Sequence, residues 1–236
     1  LQTFQTGHPG VITMWLGVPF GEIALDTPWL DQCVRPNLAD LIQESEPEVP
    51  EELAAFLFKA RRGTVFVTSL LLALSVWLLA RLFGWRLASL AGVLLALEPF
   101  LLAHSRFLHL DAIVTSLLFP SVLALLEGLE KSRRRYLLLS GTLLGLAMLN
   151  KSPAMFGVGF AGLMTLGYGL WQRRSFVWIL RQGLSWLLPA VAVYVALWPA
   201  MWVQPLATLG NVFGTAFFYA SQPHANSNYF LGAPRP

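Results

Sequence analysis

Four side chains able to carry charge or protons, His104, Arg106, His109 and Asp111, fall within the stretch AHSRFLHLDA (103–112). It lies between two apolar runs, LASLAGVLLALEPFLL and IVTSLLFPSVLALL. A carboxylate placed deep in a membrane costs about 2.5–3.5 kcal/mol, so Asp111 asks for a cation or a wet cavity. Arg106 on the same turn can supply the cation, in a salt bridge that needs to do no more than pin the hairpin. Asp111 can also cap the helix that it opens. Lys151 interrupts the apolar chain in LNKSPAM, where Pro153 starts the next helix. It sits at a tight turn at membrane level, where a lysine can also simply snorkel. Arg61 and Arg62 stand in FKARR, His8 in GHPG and His224 in QPHANSNYF. The two loop histidines lack a metal-type spacing. His104 and His109 read as interfacial. Taken together, Arg61, Arg106 and Lys151 supply cations, Asp111 a carboxylate, and His8 and His224 candidate metal ligands. Fixed cations at membrane depth suit a phosphate headgroup, since Arg offers a planar fork of donors and Lys a point charge.

The elements that position these residues follow from composition. Of 236 residues 56% are hydrophobic and only 12% charged, with mean hydropathy +0.59. That is too apolar for a soluble domain. The runs are continuous and rich in Leu and Ala, without the alternation of a lipid-facing barrel, so helices must satisfy the backbone. The expected fold is all-α, a polytopic transmembrane bundle. Six spans are predicted: 63–83, 87–103, 110–129, 136–150, 154–171 and 176–198, the fourth short. Residues 1–62 read as an outer loop, with Trp15 and Trp29 suggesting helices along the interface. Residues 63–199 form the bundle. Residues 200–236, with the amphipathic piece LATLGNVFGTAFFYA, open a second outer loop. The net charge of +3 sits in short clusters rather than along one face, which excludes nucleic acid as a partner. Cys33 is the single cysteine, so no internal disulfide forms.

Basic residues in short loops favour the cytoplasm. Arg81 and Arg86, the KSRRR run (131–135), and Arg173 with Arg174 therefore mark three inner loops. The first loop, AHSRFLHLD, the NKSP turn and HANSNYF all fall on the outer face, and with them every candidate residue. Arg61 and Arg62 break the charge rule there, an exception that asks for an anionic partner.

These motifs resemble those of the GT-C glycosyltransferases that use polyprenyl-phosphate sugars, the group containing protein O-mannosyltransferases and lipid A aminoarabinose transferases. HPGVITMWLG resembles the "HPP" or "EKP" segment of the family's first outer loop, and KARRGTVFVTSLL its "AR" start of the second helix. EPFLLAHSRFLHLDAIVTS is similar to the "SPF…SRF…DA" hairpin, LNKSPAM to the "TKG" turn, and HANSNYFLG to a His-containing stretch beyond the seventh helix. Each is short; their order and spacing across six spans carry the resemblance, which runs through most of the chain.

The resemblance implies that Arg61 and Lys151 contact the lipid phosphate and that Arg106 with Asp111 organises the cavity, the pair being the catalytic candidates. His8 and His224 fall where some relatives bind the phosphate or a divalent metal. His8 is placed with the phosphate ligands and His224 as a metal ligand, with no other cofactor implied. The implied reaction moves a sugar from a polyprenyl phosphate to an acceptor hydroxyl on protein, lipid or glycan, with inversion. It takes place on the outer face of a bacterial plasma membrane. The family's Asp-Glu pair, source of the general base, lies upstream of the HPG-like segment, so the chain is expected to be an internal fragment that does not turn over alone. A secondary transporter is the rival reading, opposed by the lack of a broken helix in the sequence pattern. A non-catalytic scaffold pinned by Arg106 and Asp111 is the third.

Overall fold

In hydrocarbon a backbone can bond only to itself, and the chain answers with helices. The computed structural model describes residues 10–13, 15–16, 51–106, 110–221, 228–230 and 233–235. The long helices are α1 (Glu51–Phe83), α2 (Trp85–Leu97), α4 (Leu110–Glu130), α5 (Arg134–Asn150), α6 (Phe156–Trp171) and α7 (Phe176–Ala196). The short α3 (Pro99–Ser105) follows α2, and a 3₁₀ turn, Ser152–Met155, precedes α6. Beyond α7 come α8 (Ala200–Val203), α9 (Pro205–Ser221) and a small antiparallel hairpin of β1 (Asn228–Phe230) with β2 (Ala233–Arg235). These two strands are the sole departure from an all-α fold among the described residues. The amphipathic piece expected after Trp198 is α9.

The buried positions of α1 recur at alternating steps of four and three, Thr64, Thr68, Leu71, Ser75 and Leu78. That spacing draws one stripe along the helix, which packs on α4. The Thr68 and Ser75 hydroxyls donate back to the carbonyls of Thr64 and Leu71, both at 2.8 Å, so they bring no unpaired donor into the interface. Gly84, with φ of 87°, makes the reversal into α2 in a region that side chains rarely adopt.

The centre of the bundle is the α4–α5 hairpin, flanked by α1 and α7. Backbones approach most closely where α5 carries Gly141 and Gly145. A Cβ there would lie 1.9 Å from the carbonyl oxygen of Trp186 and 2.6 Å from that of Ala190. Small residues at this four-residue spacing let membrane helices touch backbone to backbone. Polar ties reinforce the packing, from Ser121 Oγ to the Ser140 carbonyl at 2.9 Å and from Trp186 Nε1 to Thr165 Oγ1 at 3.0 Å. The outer helices turn Leu90, Leu94, Leu163, Leu170, Val177 and Leu188 outward. With no water to favour, such exposed apolar faces are those of a protein solvated by lipid.

Among the described residues four helical segments, Phe58–Phe83, Leu110–Glu130, Ser152–Trp171 and Phe176–Ala196, are long and apolar enough to cross a membrane, and five if the bent pair α2–α3 is one span. The chain is an integral membrane protein, and the expectation of six spans, the fourth short, needs two corrections. First, α1 begins at Glu51 rather than at residue 63, so Arg61 and Arg62 lie within a helix and not in a loop before it. Second, the span expected over 87–103 is broken at Glu98 by 62°. Pro99 has no N–H and biases the residue before it to extended backbone, and Glu98 accordingly has ψ of 114°. Its carboxylate accepts from the amides of Phe100 and Leu101 and so caps α3. The fourth span, expected to be short, is α5 with 17 residues, about 25 Å at 1.5 Å per residue, less than a hydrocarbon core of about 30 Å. It is enclosed by α4 and α7 rather than by lipid.

Candidate active site at the Asp111 end of the bundle

The chain passes back and forth so that α1 and α4 run parallel and α5 returns against them. One end of the bundle therefore gathers the first half of α1, the end of α3, the start of α4 and the end of α5. Asp111 opens α4 and Lys151 closes α5, and their side chains meet in an ion pair, Nζ donating to Oδ1. Asp111 is 40% exposed and Lys151 29%, so the pair is half open to its surroundings. Arg106 is one partner that the sequence offers Asp111, but no ion pair joins the two among the described residues. The reason is geometric. Arg106 is the C-cap of α3, whereas hairpin packing of α4 on α5 carries Lys151 to the first turn of α4.

Arg106 faces a different neighbour. It lines a groove of about 780 Å³ with Ala103 of α3 and with Phe58, Arg61, Arg62, Val65, Phe66 and Ser69 of α1. The α1 residues recur at steps of three and four and so present one face of that helix over three turns. Phe58, Val65 and Phe66 are largely exposed, which gives the groove an apolar wall beside three guanidinium groups. The Arg62 guanidinium lies 5.1 Å from the centre of the Phe58 ring, a cation–π distance. Three guanidinium groups along one apolar groove raise the local positive potential, which favours an anion there.

A fully buried amide ties this end together. Asn150 accepts at Oδ1 from the Thr13 hydroxyl at 2.8 Å and donates from Nδ2 to the Leu110 carbonyl at 2.7 Å. Its own carbonyl accepts from the Gly10 amide at 3.2 Å. Residues 11–13 and 15–16 are helical, and Val11 is buried against the bundle, with Ile12 and Leu16 beside it. The segment expected on the membrane interface is thus docked on the helix ends, next to the ion pair.

The opposite end carries a second charge cluster, which sequence reasoning passed over. Glu127 of α4 is fully buried. It accepts from Arg81 Nε at 2.9 Å and from Lys131 Nζ with both oxygens at 2.9 Å. Arg81 also lies over the rings of Trp77 and Tyr136, at 5.5 and 5.4 Å.

Arg61 and Arg106 therefore share the groove, Asp111 and Lys151 share the ion pair, and both lie at one end. His8, His109 and His224 are outside the described residues. Among the described residues no group of three or more His, Cys, Asp or Glu gathers where it could hold a metal ion.

Asn150 and Glu98 had signals that could have found them. Asn150 ends an apolar run beside Lys151, and Glu98 precedes a proline, which is the pattern of a cap. Glu127 had none beyond being acidic in an apolar run.

No curated protein and no solved structure matches the chain. A family model described as dolichyl-phosphate-mannose-protein mannosyltransferase matches residues 52–202. This stretch runs from the first turn of α1 to α8 and takes in both the groove and the ion pair. The chain belongs to the dolichyl-phosphate-mannose-protein mannosyltransferase family, membrane glycosyltransferases of the GT-C type.

Proposed function

We propose that the protein transfers a sugar from a polyprenyl-phosphate donor to an acceptor hydroxyl, with inversion, on the outer side of the membrane. The observation that carries this reading is the groove, where Arg61, Arg62 and Arg106 stand beside Phe58, Val65 and Phe66. Cations next to an apolar wall suit a phosphate that bears a hydrocarbon tail. In the reaction the acceptor oxygen attacks the anomeric carbon as the bond from that carbon to the phosphate oxygen breaks. The phosphate keeps the electron pair, and the acceptor proton passes to a general base. Arg61 and Arg106 bind the phosphate, and their charge offsets what develops as it leaves. Lys151, held at the same end by Asp111, adds a further cation. The resemblance would place His8 with these phosphate ligands and His224 at a metal, and no step here is routed through either. The outer orientation draws support from Arg86, the 131–135 run and Arg173 with Arg174 at the other end.

The break at Glu98 is a feature that the transporter reading would want. Its carboxylate, however, is occupied in capping α3, so it offers no vacant ligand. The test of the proposal is transfer from a radiolabelled polyprenyl-phosphate sugar by the full-length protein in liposomes. Arg61→Ala and Arg106→Ala should each lower transfer by roughly 10- to 100-fold, the range for losing one preorganised donor to a developing anion, with insertion unchanged. Near-normal transfer by both variants would overturn the proposal.

A further inference from the structure

We infer that Asn150 is a positioning residue that holds three segments in register so that Lys151 and Asp111 meet. This rests on the proposed function only in the step that connects the ion pair to sugar transfer; the clamp itself stands on geometry.

The three bonds of Asn150 tie together the start of α4, the end of α5 and residues 10–13. Leu110, whose carbonyl takes the Nδ2 donor, precedes Asp111 in the first turn of α4. The backbone of Asn150 leads directly into Lys151 at the end of α5. Thr13 lies in the short helical stretch 11–13, and Gly10 directly precedes it. The Asn150 side chain is fully buried, so water does not replace a lost partner, and an unpaired buried polar group is costly. Among uncharged side chains of its size only an amide accepts and donates at once from a branched end. An aspartate at 150 could take the Thr13 hydroxyl but would set its charge against the Leu110 carbonyl. A leucine would fill the volume and join nothing. The ion pair is half exposed and linked through flexible side chains, and such pairs hold their geometry poorly alone. The amide behind it supplies the fixed reference.

The experiment uses the full-length protein in liposomes, with Asn150→Ala, Asn150→Gln and Thr13→Val. Two readouts are taken: steady-state transfer from a polyprenyl-phosphate sugar, and hydrogen–deuterium exchange over residues 10–16. Asn150→Ala should lower kcat roughly 10- to 100-fold while KM for the donor stays within about threefold, the signature of misplaced groups rather than lost binding. Exchange over 10–16 should quicken in the same variant. Thr13→Val should lower kcat less, and the double variant should be no worse than Asn150→Ala alone, since both remove one network. Asn150→Gln, which keeps the amide, should recover part of the loss. If Asn150→Ala fails to insert, Thr13→Val gives the same two readouts with Asn150 in place. Unchanged exchange overturns the clamp, and faster exchange with wild-type kcat overturns the positioning role. A merely structural role would lower thermal stability and leave kcat of the surviving protein intact. If the wild type transfers no such sugar, the proposed function fails, and the clamp is then decided by exchange alone.

Discussion

The two ends of the bundle solve the same problem in opposite ways. Each sets a carboxylate of α4 against cations from other parts of the chain. At one end Glu127 is fully buried and both of its oxygens are bonded by Arg81 and Lys131, with Arg81 also over the rings of Trp77 and Tyr136. At the other, Asp111 stays 40% exposed in its pair with Lys151, and an open groove lined by three arginines lies at the same end. A buried, fully bonded carboxylate holds helices together; a half-exposed one at an open rim can answer to a ligand. The difference is one of enclosure and not of residue type, and on the proposed function it separates stability from function along a single helix.

The largest effect should come from breaking the closed end. Glu127→Ala leaves Arg81 and Lys131 as neighbouring like charges with no anion between them. The melting temperature should fall by roughly 10 °C, as expected for a disrupted buried ion-pair network in a chain of this size. Differential scanning fluorimetry checks this, and any loss of transfer should follow the folded fraction. At the open end the sign of the comparison reverses. Asp111→Asn should lower transfer from a polyprenyl-phosphate sugar by about 100-fold, equivalent to about 2.7 kcal/mol, while its melting temperature stays near wild type. If Asp111→Asn destabilises as much as Glu127→Ala and transfers normally, the two ends are not different in kind.

Gly141→Ala tests the middle, where both ends depend on α5. A methyl group pushed against the Trp186 carbonyl should cost about 1–3 kcal/mol of overpacking strain and lower thermal stability and transfer together. The smallest effect is expected at the rim of the closed end. Arg135 lies 4.9 Å from the centre of the Tyr136 ring, and Arg135→Ala should shift melting by only about 1–2 °C, the scale of an exposed cation–π contact.

Much of this arrangement was legible in the sequence. Apolar run lengths gave the helices and their order, and the polar interruptions FKARR, SRFLHLD and NKSP marked the end that now carries Arg61, Arg106, Asp111 and Lys151. Partners were harder, because sequence proximity competes with packing. Arg106 stands near Asp111 in the chain, yet Lys151, 40 residues away, forms the pair, since the α4–α5 hairpin decides which ends touch. Glu127 was invisible for the same reason: its Arg81 partner is 46 residues distant, and with Glu130 it reads as charge leading into the KSRRR loop. The break at Glu98 was written in the Glu-Pro pair, but the apolar run on either side of it suggested one continuous span. Asn150 could be seen as polar, while its role depended on Thr13, which only the folded chain brings near.

The central claim, that the Asp111 end is the anion site and the Glu127 end is not, is tested most directly by binding of radiolabelled polyprenyl phosphate without sugar. The full-length wild type would be compared with an Arg61→Ala/Arg106→Ala double variant and with an Arg133→Ala/Arg134→Ala control at the other end. The Arg61→Ala/Arg106→Ala variant should lose affinity by at least about tenfold, a loss of about 1.4 kcal/mol, and the control should bind as wild type. Equal affinity in all three proteins, or a loss confined to the control, would contradict the claim.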